Sequence, residues 1–224
     1  MSAPRLVIFD VDGTISDSQA QILAAMEDAF GAVGHPLPPR EVVLGIVGLS
    51  LEVAFVRLAP ELTAGDHAAM ADGYRAGFQR RRRAGGAAAT PLYPGVKQVI
   101  ETLSAEGSTI LGIATGKSKR GLDALLEGHD LRHHFATLQV ADHHPSKPHP
   151  SMVIAAMDET GVGPDRAVMI GDTSFDMDMA KAAGIAAIGV GWGYHRDAEL
   201  GAADVIVRRA DELPDAITAA VGRG

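Results

Sequence analysis

Residues 7–18, VIFDVDGTISDS, set three acids directly behind an apolar run. Asp10, Asp12 and Asp17 crowded together repel one another, so a positive partner is expected close by. Further polar residues follow other apolar runs in the same way. Thr115 and Gly116 come after STILGIA, Lys147 sits in SKPHP soon after the apolar run that ends at Val140, and Gly171, Asp172 and Asp176 stand in GDTSFDMDMA. In open parallel sheets ligands bind beyond the carboxyl ends of the strands, so these segments are expected at one edge. A calcium loop is excluded for the first of them, because Ile15 and Gln21 stand where that loop needs glycine and glutamate. Asp17 is also placed to cap the helix that follows. For Asp10 and Asp12, Gly13 and Thr14 delay any helix and weaken that reading.

The elements that must position these residues are readable as apolar runs at 6–9, 109–114, 137–140, 167–170, 185–190 and 205–207. Segments of helical length separate most of them: 96–106, 120–126, 151–160 and 175–183. This alternation predicts an α/β fold with a doubly wound, mainly parallel sheet, its strands covered on both faces. The long interval after the first strand is the exception. It reads as helix over 20–33, 51–58 and 67–83, with Pro36, Pro38 and Pro39 between the first two. The expected division is therefore a core of 1–17 and 89–224 and a helical cap domain of 18–88, with hinges near 15–18 and 84–92.

Composition narrows the function. The 224 residues carry a net charge of -8 and are 46% hydrophobic, which suits a soluble globular protein. That charge argues against nucleic acid or an anionic membrane as partner. No cysteine is present, which removes disulfides, thiolate metal sites and cysteine nucleophiles. No apolar stretch approaches the ~20 residues that span a bilayer, nor does the N-terminus read as a signal peptide, so a cytoplasmic location is expected.

DVDGT, ATGK, SKPHP and GDTSFDMDMA, in this order over residues 7–180, resemble the four motifs of the haloacid dehalogenase superfamily of phosphohydrolases. The helical insert is similar to the cap of phosphoglycolate phosphatases and β-phosphoglucomutases. The resemblance implies a Rossmann-like core and a magnesium ion held by the carboxylates of Asp10 and Asp172 and the backbone carbonyl of Asp12, with Asp176 orienting a bound water or the lysine. It implies Asp10 as nucleophile, forming an aspartyl phosphate, and Asp12 as general acid and base. Thr115, the Gly116 amide and Lys147 would hold the phosphoryl oxygens. Gly45 to Ser50 falls where the substrate loop of similar caps occurs, making Gly45 and Ser50 candidates for substrate contact.

Other features have plainer readings. Lys117 and Lys119 are expected at the surface, at a helix start. The histidines of 129–149 lack metal-ligand spacing and read as solvated loop residues. GVGWG lacks the last glycine of a dinucleotide loop; Trp192 or Tyr194 would wall the site or pack. Arg80 to Arg83 read as a solvated helix end favoured by the dipole, with a reach toward a substrate carboxylate as the alternative.

Among the superfamily's reactions, Asp12 is the phosphatase and phosphomutase residue, and the absence of lysine from 18–90 removes a phosphonatase-type Schiff base. The expectation is hydrolysis of a small phosphorylated metabolite, with phosphoglycolate as the named substrate. A β-phosphoglucomutase-like mutase is the alternative, and a phosphoaccepting signalling domain, which would lack the long helical insert, comes third. The chain would act as a monomer or homodimer.

Overall fold

Residues Leu6, Val7, Ile8 and Phe9 are all buried to 1% exposure or less, which a strand achieves only when both of its faces are covered. In the computed structural model, which describes residues 3–86 and 90–221, this segment is β1 (Arg5–Phe9), in the middle of a six-stranded sheet. Its companions are β2 (Thr109–Thr115), β3 (Phe135–Val140), β4 (Ala167–Gly171), β5 (Ala186–Val190) and β6 (Val205–Val207). The order is β3-β2-β1-β4-β5-β6 and every pairing is parallel. The chain winds outward from β1 to β3, then restarts at β4 on the other side, so strand order reverses between β1 and β4. That switch point is where a doubly wound sheet opens a crevice.

The period-2 alternation of β1 divides the core. Val7 and Phe9 join one apolar cluster with α5 (Val96–Ala105), α6 (Lys119–Gly128) and the C-terminal α9 (Leu213–Val221), through Ile100, Leu126 and Ile217. Leu6 and Ile8 join the cluster on the opposite face with α7 (Ser151–Thr160) and α8 (Ser174–Ala182), through Val153 and Met177. Helix α9 was outside the sequence expectation.

The long interval contains α1 (Gln19–Ala32), α2 (Arg40–Leu44), α3 (Leu51–Leu58) and α4 (Ala64–Gly85). They enclose a third apolar cluster that includes Met26, Phe30, Val43, Phe55 and Met70. The short α2 was also unexpected: Pro39, at its N-cap, ends the preceding segment and starts this turn. Helix α4 begins three residues before the predicted start, because Thr63 and Asp66 form a reciprocal capping box. Gly77 lets α1 and α4 close, since a Cβ there would lie 2.0 Å from Asp28 Oδ2.

The two segments joining insert to sheet run side by side. The Asp17 N–H donates to Pro91 O at 2.8 Å and the Tyr93 N–H to Ile15 O at 3.0 Å. The expected boundary at 88/89 and part of the expected second hinge lie outside the described residues. No helix among the described residues is long and apolar enough to cross a membrane.

Candidate active site

Parallel register sets the first contact. Phe9 lies opposite Ile170, so the residues that follow β1 and β4, Asp10 and Asp172, emerge side by side at the switch point. Asp176 joins them from the first turn of α8, where it also completes a capping box: its Oδ2 accepts the Thr173 N–H at 3.1 Å and the Thr173 hydroxyl at 2.7 Å. One carboxylate oxygen from each of Asp10, Asp172 and Asp176 lies within 4.8 Å of the others, and all three residues are buried.

Lys147 enters this group from the loop after β3. Only 2% exposed, its Nζ donates to Asp10 Oδ1 at 2.7 Å and to Asp176 Oδ1 at 2.6 Å. Burial pulls the ammonium down, but the charges of Asp10 and Asp176 outweigh it and hold Lys147 above the ordinary lysine range. Burial pushes Asp10 up to about 6, against the lowering influence of Lys147. Asp172 is raised well above the carboxylate range, first by burial and then by the charges of Asp176 and Asp10.

Asp172 is held from two sides, Oδ1 by the Thr14 hydroxyl at 2.8 Å and Oδ2 by the Tyr194 N–H at 2.8 Å. Two glycines make room for it. A Cβ on Gly193 would lie 2.1 Å from Asp172 Cβ, and one on Gly13, whose φ is +94°, would lie 2.2 Å from Asp172 Oδ2. Gly13→Ala therefore forces Asp172 from its place as well as straining the backbone. If Asp172 holds the magnesium ion that the sequence resemblance implies, the variant should lose about 10- to 100-fold in activity, the range for disturbing the groups around a metal ligand. Magnesium titration of the variant checks this, and an unchanged half-saturation would contradict it.

Asp12 stands apart from the acid trio. Its Oδ1 accepts from the Ser18 hydroxyl and its Oδ2 pairs with Lys117 Nζ at 2.8 Å. This corrects the expectation that Lys117 is a surface residue. Its side chain is 8% exposed, its ammonium pairs with Asp12 and lies 4.8 Å from the centroid of the Phe78 ring on α4. Helix α6 starts only at Lys119, so Lys117 belongs to the strand-end loop, as its place directly after Thr115 and Gly116 could have signalled. Lys119 does face outward, paired with Asp123.

Asp10, Asp12, Thr115 and Gly116 line one cavity of about 760 Å³ between the insert and the sheet edge. Thr115 is buried at the end of β2, and its hydroxyl accepts the Lys117 N–H at 3.3 Å. The loop before α3 meets this point: a Cβ on Gly116 would lie 2.4 Å from Gly48 O. Of that loop, Ile46, Val47, Gly48 and Leu49 line the cavity, whereas Gly45 and Ser50 do not. The Gly45 carbonyl faces His195 Nε2 at 3.3 Å, and the Ser50 N–H donates to Ser146 Oγ at 2.9 Å, beside Lys147. Asp17 weakly accepts the Gln19 N–H at 3.4 Å, a local role at the start of α1.

The turn after β5 contributes in a way that side-chain identity does not announce. Tyr194 offers its backbone N–H to Asp172 and its hydroxyl lies 3.2 Å from Ser18 Oγ; Trp192 Nε1 donates to Thr14 O at 3.1 Å. The histidines of 129–149 form no metal cluster among the described residues; His144, for one, bonds Gln139 and Ser151.

The acid trio suits a hard divalent cation. Three buried carboxylates face one buried ammonium, which leaves negative charge uncompensated, and Asp10 Oδ2 is buried with no hydrogen-bond donor. Oxygen-only donors of this kind fit magnesium.

A family model described as haloacid dehalogenase-like hydrolase matches residues 7–190. A protein of Dickeya dadantii named "Probable phosphatase IndB" is 38% identical over 213 residues, covering 93% of this chain and 91% of that one. A phosphoglycolate phosphatase of Pseudomonas putida is 33% identical over 198 residues, 86% of this chain and 71% of its own. A solved haloacid dehalogenase-like hydrolase of Streptococcus pneumoniae superposes with a TM-score of 0.81 at 27% identity, covering 96% of this chain and 99% of that one.

Proposed function

The chain belongs to the haloacid dehalogenase-like hydrolase family and is a phosphatase of it, and on that footing we propose that it hydrolyses a small phosphate monoester with magnesium, through a phosphorylated Asp10. The observation that carries this reading is the meeting of Asp10, Asp172, Asp176 and Lys147 at the switch point, with Asp10 and Asp12 on one cavity.

In this reading Asp10 and Asp172 would hold the ion through their carboxylates and Asp12 through its backbone carbonyl, with Asp176 in support; a magnesium ion there would supply the positive charge that lets a carboxylate approach a phosphate. Lys147 fixes the orientation of Asp10 through Oδ1. Asp10 attacks phosphorus; as the ester P–O bond breaks, Asp12 gives its proton to the leaving oxygen. Asp12 then takes a proton from water as that water attacks phosphorus, the bond to Asp10 breaks, and phosphate leaves. Thr115 and the Gly116 N–H steady the phosphoryl oxygens while charge shifts. Residues 18–88 act as a cap domain over the core, and the loop 46–49, against Gly116, brings cap residues to the substrate. Closure of this cap would exclude water from the phosphorylated Asp10.

Phosphoglycolate, named for several relatives, is the reference substrate. The test is release of nitrophenol from p-nitrophenyl phosphate: we expect turnover with magnesium and none after chelation, restored by added magnesium. Absence of turnover with magnesium, alongside interconversion of glucose phosphates, would move the assignment to the mutase.

A further inference from the structure

Two guanidinium groups on the cavity, which also line a neighbouring pocket with Asp123, Glu127 and Asp142, form no ion pair among the described residues. Among the cations that line it, Lys117 is held by Asp12, and Arg75 by Glu52 at 2.6 Å and Asp72 at 3.4 Å. Arg82, from the last turn of α4, and Arg120, from α6, pair with no carboxylate among the described residues. Asp142 is also on the lining, but it accepts the Lys119 N–H at 2.5 Å and pairs with neither arginine. With its amide oxygen turned inward, Gln79 accepts from Arg120 Nη1 at 2.8 Å, a neutral partner reaching across from α4. The neighbours in the arginine run are spent differently: Arg80 and Arg81 both bond Asp28 on α1. The helix dipole accounts for cations at this end of α4, but not for one being left unpaired over the cavity.

The size of the cavity bears on the ligand. The Lys117 ammonium that pairs with Asp12 lies 4.8 Å from the centroid of the Phe78 ring, and Arg82 is one turn further along α4, about 6 Å at 1.5 Å per residue. A two-carbon ester would leave most of the cavity to solvent, since about 760 Å³ holds roughly 25 waters at ~30 Å³ each. The cap side of the lining includes the apolar side chains of Ile22, Met26, Leu49 and Phe78.

We propose, resting on the phosphatase reading, that the substrate is an elongated phosphomonoester with an apolar middle and a second anionic group, carboxylate or phosphate, clamped by Arg82 from the cap and Arg120 from the core. Guanidinium recognises either anion in a two-pronged fashion, and a clamp made of both domains links binding of the distal group to closure of the cleft.

The test uses the full-length protein with magnesium and three series of phosphate esters of graded length: n-alkyl phosphates, ω-carboxyalkyl phosphates and α,ω-bisphosphates. The readout is the ratio of kcat/KM for each anionic ester to that of the alkyl ester of equal length. We expect no preference at two carbons and a preference of about ten- to a hundredfold at the length that spans the gap, as charge-assisted hydrogen bonds provide. Whichever anionic series gives the larger ratio identifies the distal group. Arg82→Met, with folding checked by thermal unfolding, should bring the ratio toward one, Arg82→Lys should restore part of it, and Arg83→Met, an exposed neighbour, should leave it as in the parent. A ratio near one at every length, or equal ratios in the parent and Arg82→Met, overturns the clamp while leaving the phosphatase intact. Failure to hydrolyse any of the esters removes the phosphatase reading and the clamp with it.

Discussion

Asp10→Asn should abolish phosphatase turnover, by at least about 10⁴-fold, while the protein folds as well as its parent or better. The amide keeps the shape of the carboxylate but cannot form the phosphorylated intermediate. Stability moves the other way because Asp10 is held in an unfavourable setting. Burial raises it from the ordinary carboxylate value to about 6 in the fold. A carboxylate raised on folding costs stability as pH climbs through that window, so at neutral pH and above the charge opposes folding in the absence of a divalent ion. Asparagine removes that opposition, and Lys147 keeps Asp176 as its partner. Thermal unfolding in chelator, measured beside p-nitrophenyl phosphate turnover, checks both halves. Retained turnover, or a marked loss of stability, would contradict the assignment.

Lys147→Met is the converse case, losing both stability and activity. Among the described residues its ammonium is the one cation bonded to the buried trio, and without it Asp10, Asp172 and Asp176 face one another uncompensated. Breaking a buried ion pair from one side costs about 3–5 kcal/mol. Magnesium binds the folded form and should return part of this, so the variant's unfolding temperature is expected to rise with added magnesium by more than the parent's. Turnover should fall about 10²- to 10³-fold even at saturating magnesium, the usual loss when a fixed cation or donor at the reacting phosphate is removed. Equal stability of variant and parent in chelator would show that Lys147 does not balance the trio.

These two residues were legible because strand ends are legible. A strand covered on both faces reads as a short apolar run, and in a parallel sheet the polar residue just after each run arrives at the same edge. Asp10, Thr115, Lys147 and Asp172 were found in that way. Lys117 was misread because a lysine beside a helix start has an ordinary surface explanation, and its burial depends on Phe78, distant in sequence. The Tyr194 contribution to Asp172 is a backbone N–H, which any residue could supply. Which arginine of the run 80–83 faces the cavity depends on the rotational phase of α4 against α1, where Gly77 closes on Asp28, and a charge run alone does not carry that phase. Helix α2, five residues long behind three prolines, is too short to show a period.

If the phosphoryl group passes through Asp10, rapid acid quench of the enzyme mixed with magnesium and a hydrolysed ester, followed by peptide mass analysis, should catch it there. The peptide containing Asp10 is expected to gain one phosphoryl group transiently, released by hydroxylamine and absent from Asp10→Asn. A phosphoryl group trapped on any other residue, or quantitative turnover with none trapped at any quench time, would contradict it.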